Sequence, residues 1–339
     1  MAKKRVIKRR RRRRLKWKNI IGLFLVLAVF AMLVTGGYIF YQAYTAAKGS
    51  YEELDRPGEK SELREEDVKI GEDPVSILLL GIEDYQTGGK NGRADSQVII
   101  TLNPDTEKMT MTTIPRDTRV NLVQPEEYAG YHKINATYTY GSITGYGANK
   151  LTVETAENLL DVPIDKYIAI NFEGFRDIVD ALDGVTIDIK EPFWEKNIYD
   201  DNNRIYFEEG PAHLDGEEAL AFVRMRKRDV NNIYSREERQ RQFIKSAIDE
   251  AISAGTIFKV DDISKILRKR IDTNLTPGEI YTLQRVYSSM DSSKIETIEL
   301  EGSNQRVGGS YYFIPTEEGL RTTSQKIRQE LDLPSESSN

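Results

Sequence analysis

The sequence predicts a layered α/β domain carried on a single N-terminal transmembrane helix. Three observations predict it. Residues 19–47 contain no charge and directly follow a block of lysine and arginine. Val75-Ser76-Ile77-Leu78-Leu79-Leu80 is a near-continuous apolar run, the mark of a strand buried on both faces. Beyond it, strand patterns alternate with helical ones, and that alternation builds layers of helix against a sheet.

The first element is the anchor. Residues 3–18 hold twelve Lys and Arg and no acid, with an unbroken arginine run at 9–14. About 20 apolar residues span a bilayer core, and residues 19–41 supply them, ending in Thr35-Gly36-Gly37-Tyr38-Ile39-Phe40-Tyr41. A dense basic flank stays cytoplasmic, and tyrosines favour the outer interface. Residues 1–18 therefore read as a cytoplasmic basic tail, with the lipid bilayer as a partner. A basic run alone reads as a nucleic-acid or nuclear-import patch. Its junction with a membrane span gives it the orienting role instead, and no nucleic-acid partner is expected. A cleaved signal peptide is the competing reading. The apolar stretch is long for one, and Thr45-Ala46-Ala47 is a weak cleavage site, so the segment reads as an uncleaved signal anchor.

Residues 48–73 are charged and poor in large apolar side chains, which reads as an extracytoplasmic stalk. The chain has a net charge of −6, and its first eighteen residues carry +12, so everything after them carries −18. An acidic domain that still clusters arginines points to a local anion site, not a polyanion-binding surface. There is no cysteine, hence no disulfide framework, and roughly 265 residues suffice for stabilisation by core burial. A cysteine-free domain outside the membrane suits a bacterium of Gram-positive type.

Within the domain, residues 74–333, strands are expected at 74–81, 97–102 and 108–114, with Asn103-Pro104-Asp105 as a turn. A helix at 148–160 precedes a strand at 166–171. Phe172, Phe175, Ile178, Val179 and Leu182 mark one face of the next helix, which Asp183-Gly184 ends before a strand at 185–189. Asp215 with Glu218 has the capping-box pattern and opens a helix through Phe222. Ser235 with Glu238 repeats it, placing Arg236 at the first position of another helix. Residues 261–271 and 276–289 read as helices, 295–300 as a strand and 316–331 as a closing helix, all as packing for the domain. Residues 334–339 read as a disordered tail.

The chemistry lies in the arginines. Thr113-Ile114-Pro115-Arg116-Asp117 follows a strand, where Pro115 has no N–H for the ladder and frees the next side chain to enter a cleft. Gly92-Arg93-Ala94-Asp95-Ser96 lies upstream, and Arg224-Met225-Arg226 and Ser235-Arg236-Glu237-Glu238-Arg239-Gln240 downstream. At 3.6 residues per turn, Arg236, Arg239 and Gln240 share the side of their helix that carries Phe243 and Ala247. Inward arginines at a helix N-terminus make an anion site. A guanidinium fork matches phosphate oxygens, and carboxylates with phosphates are the usual way to hold magnesium. The ligand implied is a phosphate or pyrophosphate with its metal. Asp117 either orients Arg116 or assists proton removal. Surface arginines paired with nearby glutamates are the plain alternative.

Other chemistries lack their residues. Only His132 and His213 are present, and Gly141-Ser142-Ile143-Thr144-Gly145 is not a nucleophile elbow; His132 reads as a hydrogen-bonding loop residue. Gly88-Gly89-Lys90-Asn91-Gly92 lacks P-loop spacing. Zinc has no cysteine and no histidine pair at ligand spacing.

The order Gly81-Ile82-Glu83, Gly92-Arg93-Ala94-Asp95-Ser96, Ile114-Pro115-Arg116-Asp117-Thr118, His132-Lys133-Ile134-Asn135-Ala136, Asp183-Gly184-Val185, Arg224-Met225-Arg226 and Arg236 with Arg239-Gln240 resembles the LytR-CpsA-Psr family over residues 75–252. The resemblance implies an α/β/α sandwich with a central mixed sheet and a long apolar pocket for a polyprenyl chain. It implies a phosphotransferase that moves an anionic glycopolymer, such as wall teichoic acid, from an undecaprenyl-pyrophosphate carrier to peptidoglycan. It assigns Arg93, Arg116, Arg224, Arg226 and Arg236 to the pyrophosphate; the inward helix stripe adds Arg239 and Gln240, and the reading of the residues themselves makes Arg116, Asp95 and Asp117 the catalytic set. Mg2+ falls to Asp95 with Glu83 or Asp84, because the family's Asp directly after Gly-x is replaced here by Glu83 and then Asp84. Many members also place an Asp where this chain has Ile233, and the nearest acid is Asp229.

Two other functions share these electrostatics: a non-catalytic regulator that binds polyprenyl phosphate, and a lipid-pyrophosphate hydrolase. The charge step between Lys18 and Asn19 sets a first prediction. External protease on wall-stripped cells should digest everything beyond residue 47. Protection of the C-terminal domain would exclude the extracytoplasmic placement.

Overall fold

Val75–Glu83 (β1) is apolar on both faces because both faces are covered. Its alternate residues divide between two cores: Leu78, Leu80 and Ile82 enter one, Val75 and Ile77 the other. The computed structural model describes residues 51–56, 60–88, 90–200, 203–253, 270–287 and 294–334. The expected basic tail, the transmembrane helix at 19–41 and residues 335–339 lie outside the described residues. No helix among the described residues is long and apolar enough to cross a membrane.

β2 (Arg93–Asn103) and β3 (Lys108–Thr113) run antiparallel beside β1, joined by a turn in which Asn103 Oδ1 accepts from the N–H groups of Asp105 and Thr106. A hairpin of β4 (Arg119–Leu122) and β5 (Gly130–Lys133) follows, then α1 (Thr137–Thr144) and α2 (Ala148–Leu160). β6 (Lys166–Asn171) returns parallel to β1. Asn171 then caps α3 (Phe172–Ala181), its side chain accepting from Gly174 N. Two small antiparallel sheets come next. β7 (Val185–Ile189) pairs with β10 (Gly210–Leu214), and β8 (Phe193–Lys196) with β9 (Arg204–Phe207). The capping box of Asp215 and Glu218 opens α4 (Gly216–Arg224), and α5 (Arg236–Ser253) follows a short loop. β11 (Ile271–Thr273), α6 (Pro277–Tyr287), β12 (Ile295–Glu299), the hairpin β13 (Gly302–Val307) with β14 (Ser310–Pro315), and α7 (Glu317–Glu330) complete the described chain.

The main sheet has six strands in the order β11-β6-β1-β2-β3-β12 and mixes parallel with antiparallel pairs. Residues of α2 and α7 pack in one core beneath it, and Ile244 and Ile248 of α5 with Leu283 of α6 cover the other face. A third core joins α3, α4 and α5 to the small sheets. The architecture is the α/β/α sandwich with a central mixed sheet that the sequence implied.

Two expectations need correction. Residues 261–271 were expected as a helix; 261–269 lie outside the described residues, Arg270 is helical as expected, and the end differs, since Ile271 opens a strand, Ile271–Thr273, paired antiparallel with β6. Ile271 and Thr273 are β-branched and alternate inward, so an open sheet edge captures them. The segment 48–73 was expected as a solvated stalk. Its described residues instead lie against the domain: Leu54 is buried in the main core, and Glu52 N donates to Thr273 O at 2.8 Å. Its arginines are paired. Arg56 reaches Glu157 at 3.3 Å, whose carboxyl burial pushes up in spite of that partner. Arg64 grips Asp165 with both arms of its fork, at 2.9 and 2.7 Å, and Asp165 also accepts from Ser76 N and Ser76 Oγ. Composition cannot distinguish a solvated charge from one whose partner lies 101 residues away.

Arg64 and Asp165 are both nearly sealed from solvent, at 8% and 5% side-chain exposure. Removing one partner leaves a buried, uncompensated charge, at a cost of about 3–5 kcal/mol. Arg64→Met should therefore lower Tm by on the order of 10 °C in calorimetry. An unchanged Tm would mean that the strap contributes nothing to the fold.

Candidate active site

The site begins with a slip in strand register. Gly81 pairs with Ser96 and Ile82 with Ala94, which leaves Asp95 as the extra residue of a bulge on β2. A bulge bends its strand and re-aims a side chain. Gly81 permits the close approach, since a Cβ there would lie 2.9 Å from Ser96 Cβ. Asp95 becomes the hub of the site. Its Oδ1 accepts from Asn135 Nδ2 at 2.8 Å, and its Oδ2 is ion-paired with Arg116 and lies 3.7 Å from Arg236 Nη1.

The turn carrying Arg116 and Asp117 is fixed from several sides. Thr118 closes it on the Pro115 carbonyl through both its N–H and its hydroxyl. Asn135 N donates to Arg116 O at 3.2 Å, and Phe313 N to Asp117 O at 2.9 Å. Lys133 Nζ reaches Asp117 Oδ1 at 2.7 Å, and Arg116 Nε is 3.7 Å from the same oxygen.

The first turn of α5 supplies the opposing cations. Ser235 Oγ accepts from Glu238 N at 3.1 Å, which starts the helix where the capping pattern placed it. Arg236 is buried, and Nε donates to Val223 O at 3.3 Å. Burial pulls its pKa below the usual arginine value despite Asp95. Burial does the same to Arg224, against the opposing pull of Glu195 and Glu83. Both guanidiniums stay charged, so both sit where an anion would relieve an electrostatic cost. Gln240 Oε1 accepts from Ser96 Oγ at 3.2 Å, tying α5 to the bulged strand.

Two cavities meet here. One, of about 470 Å³, lies between the main sheet and α3, α4 and α5; its walls include Leu79, Val98, Ile168, Phe172, Phe175 and Phe243. Asp95, Ser96, Arg224, Arg236 and Gln240 also line it. The other, of about 420 Å³, is polar, with Arg116, Asp117, Arg226, Glu237 and Arg241 among its lining residues. Arg236 lines both.

The expected site residues thus divide. Arg116, Asp117, Arg226 and Arg236 come together in the polar cleft, and Asp95, Arg224, Arg236 and Gln240 border the apolar cavity. Arg93 is exposed, opposite Glu83, and lines neither. Arg239 needs correction. It is fully buried, and its guanidinium donates to the carbonyls of Phe222, Tyr234 and Met225 and to Asn231 Oδ1. It clamps the loop between α4 and α5 and lines neither cavity, and burial pulls its pKa down to about 10. The three carboxylates named for magnesium do not form one group: no cluster of three or more acidic or histidine side chains suited to a metal occurs among the described residues. Asp84 Oδ2 accepts from Asn171 at 3.2 Å beside a separate cleft with Lys90, and Glu83 Oε1 accepts from Gln86 N at 3.3 Å.

Sequence reasoning missed Asn135 and Lys133 as partners of Asp95 and Asp117, although both stand in the quoted His132-Lys133-Ile134-Asn135-Ala136 motif. It also missed Asn304 and Phe313, which bring the C-terminal hairpin into the polar cleft. His132 hydrogen-bonds as expected, with Nδ1 3.2 Å from Tyr140 Oη, but it stands on β5 and not in a loop.

The model of the LytR_cpsA_psr family matches residues 37–329. The chain belongs to that family. Polyisoprenyl-teichoic acid–peptidoglycan teichoic acid transferase TagV of Bacillus subtilis (strain 168) is 41% identical over 323 residues, covering 95% of this chain and 80% of TagV. TagU of the same strain, another such transferase, is 33% identical over 327 residues, covering 95% of this chain and 99% of TagU. The crystal structure of B. subtilis TagV superposes with a TM-score of 0.67 at 40% identity, covering 79% of this chain and all of that one. The family protein YwtF (TagT) with bound octaprenyl pyrophosphate lipid superposes at 0.65 with 28% identity, covering 84% of this chain and all of that one.

The two kinds of arginine respond differently to loss. Arg239→Ala leaves three buried carbonyls without their donor, at about 1–3 kcal/mol for each unsatisfied group, and should lower Tm sharply. Arg116→Ala leaves Asp95 with Arg236 and Asn135, and should keep Tm within a few degrees. Equal losses in scanning calorimetry would remove the distinction between clamp and site.

Proposed function

We propose that the protein transfers an anionic glycopolymer of the teichoic acid type from an undecaprenyl-pyrophosphate carrier to a sugar hydroxyl of peptidoglycan, anchored in the cell membrane with its domain outside. One observation carries this reading: a single buried arginine, Arg236, lines both an apolar cavity and a polar, arginine-rich cleft. A ligand fitting both is an amphiphile whose anionic group sits at the junction. The relatives named above add the substrate class.

A stretch of the prenyl chain occupies the apolar cavity, where each buried CH₂ contributes about 0.8 kcal/mol. The pyrophosphate lies at the junction, with Arg224 on the lipid side and Arg116 and Arg226 on the polar side. The acceptor oxygen forms a bond to the glycan-proximal phosphorus as the bridging P–O bond breaks, and polyprenyl monophosphate leaves. Such a transfer needs positioned positive charge more than covalent help from the protein. Asp117 orients Arg116 and Lys133 and is the carboxylate beside Arg116 to which the departing proton passes.

Magnesium belongs to the same proposal. The donor set fits it: Asp95 is a hard oxygen ligand among cations that gather phosphate, and magnesium is commonly held by one or two carboxylates together with substrate phosphates. Asp95 would hold it together with the substrate phosphates, since Glu83 and Asp84 stand apart from it, and the ion would neutralise charge on the leaving phosphate. Arg239 has no part in binding.

The full chain in detergent micelles, given a polyprenyl-pyrophosphate-linked glycopolymer, peptidoglycan fragments and magnesium, should yield polymer covalently attached to peptidoglycan. Arg116→Ala should slow this by about one to two decades, the value of a charge-assisted phosphate contact. Release of free glycan phosphate with no attached product would make the protein a hydrolase, and donor binding with no turnover a binding protein.

A further inference from the structure

The hairpin of β4 and β5 carries a surface that the donor site does not use. Arg119 pairs with Lys133 and Asn121 with Tyr131, so Arg119, Lys133 and Tyr131 share one face of the hairpin, while Val120 turns into the core. On that face the Arg119 guanidinium lies 3.7 Å from the centre of the Tyr131 ring. One side of the ring is thereby held, yet Tyr131 remains 58% exposed. Tyr312 of β14 extends the surface, 6.0 Å from Arg119 and 5.8 Å from Lys133 Nζ. Arg119 Nε is buried without a hydrogen-bond partner. Lys133 closes the row, since its ammonium is the group bound to Asp117 at 2.7 Å.

We propose that this row, Tyr131–Arg119–Tyr312–Lys133, is the docking track for the acceptor glycan strand, leading it to Asp117 in the polar cleft. The inference rests on the transferase reading and names the half of the reaction that the lipid cavity does not serve. An aromatic ring fixed on one face by a cation offers its other, flat face as a platform to the C–H face of a pyranose ring. Peptidoglycan adds what a neutral glycan lacks, because its alternate sugars carry peptides ending in carboxylates. Arg119, whose guanidinium lies outside the Lys133–Asp117 ion pair, is placed to receive such groups by charge-assisted hydrogen bonds. The track ends at the carboxylate the transfer requires, so a strand lying on it brings a hydroxyl toward the phosphorus and keeps its peptides outside the cleft.

The test uses the full chain in micelles. The probes are peptidoglycan oligomers with uncrosslinked peptides and chitin oligosaccharides of equal length, with binding followed by calorimetry and transfer by initial rates. Tyr131→Ala should raise both the Kd and the KM for peptidoglycan oligomers roughly five- to tenfold, the size of one aromatic contact. It should keep kcat at saturating acceptor and leave polyprenyl-pyrophosphate binding as in the wild type, and Tyr131→Phe should restore the wild-type KM. Chitin oligosaccharides should bind more weakly than peptidoglycan oligomers, and Arg119→Gln should narrow that difference. Unchanged Kd and KM in Tyr131→Ala, or equal affinity of the wild type for both glycans, would overturn the track. Tyr131-dependent binding with no covalent product would instead overturn the transferase reading and leave the track standing.

Discussion

The site depends on the placement of one negative charge among several positive ones. Asp95 stands at a bulge, where it meets Arg116, Arg236 and Asn135. Without it, Arg236 would be a buried cation with only the Val223 carbonyl to receive it. Buried ion pairs seldom stabilise a fold outright, because desolvation consumes most of the Coulombic gain. Their value here is positional. On the proposed reading, Asp95 in the protein alone stands in for the phosphate that the arginines bind. When a phosphate enters, the guanidiniums can turn to its oxygens, and the carboxylate is freed for a hard cation. One group would then serve both as internal counter-charge and as metal ligand.

The same helix shows how an arginine can do the opposite job. Arg236 and Arg239 lie three apart, and both point away from solvent. Arg236 meets one carbonyl and a carboxylate, which leaves donors for a ligand. Arg239 meets three carbonyls and an amide oxygen, which exhausts it. The clamp matters to the site because Tyr234 and Met225 bracket the loop that carries Arg226, and the Phe222 carbonyl fixes the end of α4 beside Arg224. Arg239 thus positions the cations on either side of it without touching what they bind.

This contrast marks the limit of what was legible in the sequence. The helical wheel correctly placed 236, 239 and 240 on the inner side, but it carries no information about where carbonyls of the preceding loop will lie. Elements with local signals were legible: the helix at 148–160 and the strands at 166–171 and 185–189 have the ends the sequence assigned. Their turns, caps and periodicity lie within a few residues. Elements defined by distant partners were not. β11 exists because β6 has a free edge about a hundred residues away, and the strap at 51–73 docks because Glu157 and Asp165 await its arginines. The bulge at Asp95 was equally hidden, since nothing in Gly-Arg-Ala-Asp-Ser states that the partner strand will slip by one residue there.

The polar cleft depends on that hidden part of the chain. Asp117 has its carbonyl bound by Phe313 N and its carboxylate by Lys133, while Arg116 has its carbonyl bound by Asn135 N. Two segments, one close downstream and one nearly two hundred residues away, therefore fix one two-residue turn. Charges that must stabilise a developing phosphate act best when their orientation is already set, because the protein then spends nothing on reorganisation as the bond breaks. The C-terminal hairpin, which looks in sequence like packing, supplies one of those constraints through Phe313 N and the far edge of the proposed glycan track through Tyr312. Alternation along β14 sends these neighbours to opposite faces: Phe313 turns inward to hold the turn, and Tyr312 outward beside Arg119. One strand thereby couples the rigidity of the Arg116–Asp117 turn to the surface proposed for the acceptor.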